Sequence, residues 1–249
     1  MSASTRFMTL TVALLSSAAV QASVIVNSTR IVYPQNDNEV TVRLESKNQA
    51  PVLVQAWLDS GDEQSTPDVA TAPFVVIPPI FRMEPGKQQV VRLAYTGQDL
   101  PSAQEGLFWF NLLEVPSQRQ GAAQSNQFQL AFRSRIKLFL RPANLPYGVE
   151  AAPGKLQWQR VATEQGQALD VFNPSPYHVT FEQIRVQVAE QQHVREPAAS
   201  GVENMVIPGG RLRFALPRLT APLNSCATVA FETLDDFGAK VRHTTEVCP

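Results

Sequence analysis

The chain has 249 residues, with 21 lysines and arginines against 22 aspartates and glutamates, so its formal net charge is −1. This near balance offers no broad basic surface, which argues against general nucleic-acid binding. The length exceeds what one β-sandwich needs and suits two domains of about 100–120 residues each.

The first 22 residues have the layout of a secretory signal peptide. Arg6 supplies a positive charge, an apolar stretch with small residues runs from about Phe7 to Val20, and Val20-Gln21-Ala22 fits a cleavage site. We therefore predict export and a mature chain that starts at Ser23. No other apolar run approaches the length that a membrane-spanning helix needs, so no membrane insertion is expected.

Strand-like runs bounded by Pro, Gly, Asn or Asp follow one another through the first half of the mature chain. They are Ser23–Val32, Glu39–Ser46, Val52–Leu58, Phe74–Ile77, Gln88–Tyr95, Leu107–Val115 and Phe128–Leu140. No helical pattern of comparable strength is present. About seven strands in roughly 120 residues predict a β-sandwich of the immunoglobulin type.

A stiff connection with two prolines, Arg141–Pro146, separates this half from the next and predicts a domain boundary at about 142–146. The second half again consists of strand-like runs. They are Leu156–Arg160, Ala168–Phe172, Val179–Val188, Arg211–Leu216, Ala227–Thr233 and Lys240–Cys248. We predict an all-β protein with an N-terminal domain at 23–142 and a C-terminal domain at 143–249.

The chain has two cysteines, Cys226 and Cys248, both near its C-terminus. The segments that follow Cys226 and precede Cys248 are strand-like and flank a turn at Asp235–Gly238. A hairpin that turns there places the two cysteines opposite each other, and an exported chain permits a disulfide. The alternative is a pair of free buried thiols.

The segment Phe128–Pro142 combines an apolar row with a cationic end. Phe128, Leu130 and Phe132 alternate with polar or small residues, which is the period of a strand with one apolar face. Four cations follow: Arg133, Arg135, Lys137 and Arg141. Such a strand could add to the sheet edge of another protein or hold an anion. The alternative is an ordinary sandwich strand with solvated cations.

Four motifs resemble, in order, those of the periplasmic pilus-assembly chaperones of the chaperone–usher pathway. They are Thr29–Pro34, Pro78–Gly86, Leu107–Pro116 and Ile136–Pro142. The resemblance covers essentially the whole mature chain. The short connection between Val115 and Phe128, and a first domain without cysteines, resemble the short-loop branch of the family.

The resemblance implies two immunoglobulin-like domains set at an angle, in a boomerang shape, with a fimbrial subunit bound in the cleft. The chaperone lends a strand to a subunit that lacks one, a process called donor-strand complementation. On this interpretation Phe128, Leu130 and Phe132 are the donor side chains, and Arg30 and Lys137 hold the C-terminal carboxylate of the subunit. The outer-membrane usher is the second implied partner.

The resemblance also places Glu105, Arg141 and Asp236 at positions that form an ionic link between the two domains. Strand parity raises a question, since Phe132 and Lys137 face opposite ways in an ideal strand. Twist or a bulge between them would change this relation.

The sequence also bears on two other classes of function. An enzyme is disfavoured because the three histidines, His178, His193 and His243, lie in no metal-ligand spacing, and no nucleotide or nucleophile motif is present. We expect no catalytic residue, no metal and no cofactor. The stronger alternative is a secreted two-domain immunoglobulin-like structural or interaction module without chaperone activity. An exposed donor strand would also encourage self-association when no subunit is bound.

Overall fold

The computed structural model describes residues 23–97, 103–117, 130–164, 166–195, 203–217, 219 and 223–249. The predicted signal peptide and Phe128 lie outside these residues. Within them, no helix has the length and apolar character required to cross a membrane. The protein is all-β and consists of two immunoglobulin-like sandwiches, as the sequence predicted.

The first domain packs a four-stranded sheet against a five-stranded sheet. The strands are β1 (Val24–Val26), β2 (Arg30–Pro34), β3 (Val40–Ser46), β4 (Val52–Asp59), β5 (Phe74–Ile77), β6 (Ile80–Met83), β7 (Gln88–Tyr95), β8 (Gly106–Pro116) and β9 (Phe132–Arg141). The sheet orders are β1-β3-β7-β5 and β2-β9-β8-β4-β6. Alternate side chains of both sheets form one buried core, with Tyr33, Leu44 and Phe110 fully enclosed.

The single strand predicted at Ser23–Val32 is wrong, because the chain changes sheets within it. β1 pairs antiparallel with β3 in the first sheet, whereas β2 pairs parallel with β9 in the second. Apolar residues occur on both sides of the crossing, so the sequence pattern alone does not reveal it. The crossing fixes where β2 begins, and β2 therefore covers only the second half of β9.

β9 runs without a bulge along its other neighbour, β8. The pairing is continuous from Phe132 opposite Glu114 to Leu140 opposite Gly106. Phe132 and Lys137 therefore project from opposite faces of the sheet. No bulge lies between these residues, so the apolar side chain and the cation remain on opposite faces of the strand.

The second domain is also a sandwich of two sheets. Its strands are β10 (Gln157–Thr163), β11 (Gly166–Phe172), β12 (Val179–Val188), β13 (Gln191–Arg195), β14 (Met205–Val206), β15 (Arg211–Leu216), β16 (Ala227–Leu234) and β17 (Lys240–Val247). The sheet orders are β10-β11-β15 and β13-β12-β16-β17, with β14 beside β12. Two 3-10 turns, Val149–Ala151 and Pro153–Lys155, precede β10.

The β16–β17 hairpin confirms the predicted disulfide. Its register places Ala227 opposite Val247 and Leu234 opposite Lys240, so the turn is centred on Phe237. Cys226 and Cys248 come next in this register and are bonded to each other. The disulfide closes the open end of the hairpin, which carries the edge strand of the larger sheet.

We predict that replacing both Cys226 and Cys248 by alanine lowers the free energy of unfolding of the second domain by about 3 kcal/mol, because the open chain regains the entropy of a 22-residue loop. Urea unfolding of the two proteins measures this difference. Reducing agent should lower the stability of the wild-type protein and leave the variant unchanged. Equal stability under oxidising conditions would contradict the prediction.

Candidate functional site

The outer face of the five-stranded sheet carries a row of cations on β9. Arg133, Arg135 and Lys137 share this face with Phe139 and Arg141, while Ile136, Leu138 and Leu140 point into the core. The row is not uniform. Its members differ in their partners, and these differences identify the part of the row that is suited to an external anion.

Arg133 and Arg135 are held by the first domain itself. Arg135 donates to Oδ1 of the buried Asp59 at 2.6 Å, and its guanidinium lies 4.3 Å from the ring centre of Trp109. Arg133 donates to Oδ1 of Asn111 and lies 4.9 Å from the ring centre of Trp57. Both cations therefore have their partners within the first domain, although Arg133 stays exposed to solvent, as the ordinary-strand alternative expected.

Arg30 and Lys137 are neighbours across the parallel pair β2·β9, where their Cα positions are in register. Both side chains are partly buried on the same outer face. The Arg30 guanidinium lies 5.8 Å from the ring centre of Phe139, and the Lys137 ammonium lies 5.7 Å from that of Trp109. The structure therefore brings together the two residues that the family resemblance had paired.

The two positive charges disfavour each other, and burial makes both of them costly. The pKa of Lys137 falls to about 8, mainly through burial and also through the charge of Arg30. Burial lowers the pKa of Arg30 as well, although Asp236, Asp235 and Glu105 oppose this. A bound anion would offset both the repulsion between the two cations and the cost of burying them. The buried Nε of Arg30 has no hydrogen-bond partner among the described residues.

The second domain closes one side of this site. Arg30 Nη1 donates to the carbonyl oxygen of Leu234 at 3.2 Å. The ring of Phe139 packs against that of His178, with centroids 5.4 Å apart. The cation pair thus lies where the outer face of the first domain meets the β16–β17 hairpin of the second.

Of the predicted donor side chains, Phe132 is the first residue of β9 and lies on the face opposite to Lys137, and Leu130 precedes the strand by two residues. Leu130 is 58% exposed and Phe132 is 54% exposed, although Phe132 continues the row of Leu138 and Leu140, which are buried. The sandwich ends just before them. Opposite Phe132, the buried Glu114 accepts hydrogen bonds from Val24 N and Asn48 Nδ2, which close that end of the core.

One backbone edge of β9 is open over the same stretch. β8 pairs with Phe132–Leu140 on one side, whereas β2 pairs only with Lys137–Arg141 on the other. Among the described residues, no strand pairs with Phe132–Ile136 on the β2 side. An exposed apolar row beside unpaired backbone groups can accept an additional strand.

The family resemblance had grouped three charged residues, and the structure places them in contact through the middle one: Glu105, Arg141 and Asp236. Arg141 Nε donates to Glu105 Oε1 at 2.7 Å, and its two Nη atoms donate to the Asp236 carboxylate at 2.6 and 2.8 Å. Burial alone would lower the pKa of Arg141, but its hydrogen bonds to Asp236 and the charge of Glu105 outweigh this effect and raise that pKa.

Sequence reasoning missed two parts of this contact. The buried Glu105 also accepts from the backbone N–H of His178 at 2.9 Å, and its own N–H donates to the carbonyl of Pro176. The Arg141 guanidinium lies over the ring of Tyr177. In sequence, Asn173–Pro176 is a turn signal, and nothing in the local pattern up to His178 indicates a contact with another domain.

The fold and this site define a protein of two immunoglobulin-like domains that presents an open strand edge ending at a pair of cations. Two family profiles match the chain along its length. Residues 23–146 match the N-terminal domain of the PapD-type pili and flagellar-assembly chaperones, and residues 151–245 match the C-terminal domain of the PapD pili-assembly chaperones. The chain belongs to this family of pilus-assembly chaperones, as the sequence motifs indicated.

Individual relatives agree with this assignment. The probable fimbrial chaperone YadV of Escherichia coli K12 is 37% identical over 226 residues, which is 88% of each chain. A crystal structure of the YadV chaperone superposes with a TM-score of 0.75 and 32% identity, covering 91% of this chain and 100% of that one. The SafB chaperone of Salmonella enterica, solved in complex with the SafA pilin, gives a TM-score of 0.71 at 25% identity, covering 93% of this chain and 99% of that one.

We predict that the Lys137 ammonium titrates near pH 8 and that Arg30→Gln raises its pKa, because one of the two causes of the lowering is removed. A ¹³C NMR titration of labelled lysine Cε measures this. Arg43→Gln, on the outer face of the other sheet, is the control and should leave the Lys137 pKa unchanged. A Lys137 pKa that is the same in Arg30→Gln and in the wild-type protein would contradict the prediction.

Proposed function

We propose that this protein is a periplasmic chaperone that captures pilus subunits by adding its β9 strand to them and fixing their C-terminal carboxylate. The observation that carries the proposal is the open edge of β9 at Phe132–Ile136, which leads directly to Arg30 and Lys137. The membership of the family and a relative solved with a pilin support the choice of partner.

The geometry supports one direction for the captured strand. A strand that fills the row beside Phe132–Ile136 lies in line with β2, whose first residue is Arg30. If its C-terminus meets Arg30, the strand runs in the same direction as β9. Parallel pairing therefore follows from the place where the chain's own parallel strand begins.

Two kinds of interaction then contribute to binding: burial of apolar side chains and hydrogen bonds to the carboxylate. Leu130 and Phe132 project from the strand into the groove of the subunit, together with Phe128 by sequence. Burying each such side chain contributes about 1.5–3 kcal/mol. The carboxylate accepts charge-assisted hydrogen bonds from Arg30 and Lys137, each worth about 1.5–3 kcal/mol. Because a slip of one residue would turn the apolar row away from the groove, the carboxylate also sets the register.

The contacts of Arg141 support a role in fixing how the two domains meet. Arg141, at the end of β9, lies between the buried Glu105 and Asp236 of the β16–β17 turn and bonds to both. A buried salt bridge is weak evidence for a gain in stability, so we assign this contact to orientation. The domains that it joins are proposed to span 23–142 and 143–249.

The remaining parts of the proposal rest on the family and the sequence. Residues 1–22 direct export and are removed, the outer-membrane usher receives the subunit, and strand exchange rather than catalysis releases it. Without a subunit, the open edge of β9 is available to a second copy of the chain. The alternative hypothesis, a two-domain module without chaperone activity, does not explain why a cation pair lies beside that edge.

We predict that Arg30→Ala combined with Lys137→Ala abolishes capture of a pilus subunit encoded at the same locus, because two charge-assisted contacts worth about 3 kcal/mol or more are lost. Co-expression with a tagged subunit, followed by purification from periplasmic extract, measures a one-to-one complex. Circular dichroism should show an unchanged fold. Undiminished capture by the folded double variant would overturn the role of the two cations.

We predict that Leu130→Glu weakens capture of the same subunit by at least about tenfold, because a charge enters an apolar groove. Val90→Glu is the matched control, since Val90 is 46% exposed on the outer face of the other sheet. Neither change should lower the melting temperature appreciably. An equal effect of both changes on capture, or loss of folding in Leu130→Glu alone, would show that Leu130 is an ordinary core residue.

A further inference from the structure

A cavity of about 310 Å³ opens at the end of the second domain, between the β16–β17 hairpin and the 3-10 turns that precede β10. Its apolar walls come from Val149, Ala152, Val179, Leu234, Phe237 and Val241. This volume lies at the low end of pockets that bind small molecules and is ample for one large side chain.

Two residues of the second-domain core line the cavity. Ala152 and Val179 belong to that core and are almost fully buried. His243 stacks on Phe231, with ring centroids 5.0 Å apart, and hydrogen-bonds to Thr233. Burial lowers the pKa of His243. Glu150, Asp235 and Asp236 also line the cavity. Its apolar surface together with these carboxylates favours an apolar side chain without negative charge.

The cavity lies directly beside the cation pair. Leu234, which lines it, provides the carbonyl oxygen that accepts from Arg30. The hairpin turn packs on the residue before Arg30, since a Cβ at Gly238 would clash with the hydroxyl of Thr29. A chain end held at Arg30 therefore ends against this hairpin.

Phe237 stands at the mouth of the cavity. Its side chain is 91% exposed, yet its backbone is fixed, because Asp235 Oδ1 accepts from the N–H groups of Phe237 and Ala239. A large aromatic side chain held in water on an ordered turn has the character of a binding residue, since little entropy is lost when a partner covers it.

We propose that this cavity and Phe237 bind an apolar side chain at or next to the C-terminal residue of the captured subunit. The inference rests on the proposed function. Alternate side chains of a strand in the β2 row project from the outer face of the sheet, and at Arg30 that face meets the hairpin. The second domain would thereby select subunits by the residue beside their terminal carboxylate.

The test uses the full-length mature protein and a synthetic peptide that copies the C-terminal strand of a pilus subunit from the same locus. Val241→Asp places a charge in the cavity, and Val194→Asp is its matched control. Val241 is 40% exposed on one edge strand of the sheet, and Val194 is 42% exposed on the other. We expect Val241→Asp to weaken peptide binding about tenfold, equivalent to about 1.4 kcal/mol, and Val194→Asp to have no effect.

Phe237→Ala provides a second measurement that does not depend on how Val241→Asp folds, because Phe237 is exposed. Its control is Ile207→Ala, at an exposed apolar residue outside the cavity. Peptides with glycine at each of the last positions identify the side chain that is bound. The peptide that lacks this side chain should bind the wild-type protein more weakly than the unchanged peptide does. The two peptides should bind Val241→Asp equally.

The outcomes separate this inference from the proposed function. If the wild-type protein binds neither subunit nor peptide, the proposed function fails and the inference with it. If the wild-type protein binds and the Arg30 and Lys137 variant does not, while Phe237→Ala and folded Val241→Asp bind normally, the cavity inference alone is wrong. Weakening by Phe237→Ala, with Ile207→Ala unaffected, supports it.

Discussion

A strand inside a sheet needs hydrogen-bonding partners on both sides, and β9 has them over only half of its length. Every other feature of the site depends on this. The unpaired stretch is where Leu130 and Phe132 extend beyond the core, and it ends where β2 begins. The protein keeps an incomplete sheet without unfolding because β8 and the second half of the strand hold it in place.

Electrostatics gives this edge a defined end. Two partly buried cations side by side are unfavourable when no anion is bound to them. The lowered pKa of Lys137 reflects both its burial and the charge of Arg30. An arriving carboxylate removes the repulsion at the same time as it forms hydrogen bonds. In the proposed function, the apolar row would supply binding energy that many sequences can provide, whereas the cation pair would recognise the C-terminal carboxylate of a chain.

Sequence pattern predicted the elements that alternate strongly. Phe74–Ile77, Gln88–Tyr95 and Val179–Val188 have the predicted bounds, since apolar residues on one face and turn residues at the ends define them. Gln191–Arg195 was missed because it is mostly polar, and Met205–Val206 because it is too short to alternate. The pairing of Arg30 with Lys137 came from family motifs. The contacts of His178 with Glu105 and Phe139 depend on how the two domains meet, and the cavity depends on how the β16–β17 hairpin meets the turns before β10; no local pattern encodes either.

The point at which the chain leaves one sheet for the other, between β1 and β2, has a consequence for how such proteins arise. Had the crossing come a few residues earlier, a longer β2 would have covered β9 to its start, and the domain would be a closed sandwich with nothing to offer a partner. The difference between a self-sufficient fold and one that completes other proteins is here the position of a single crossing.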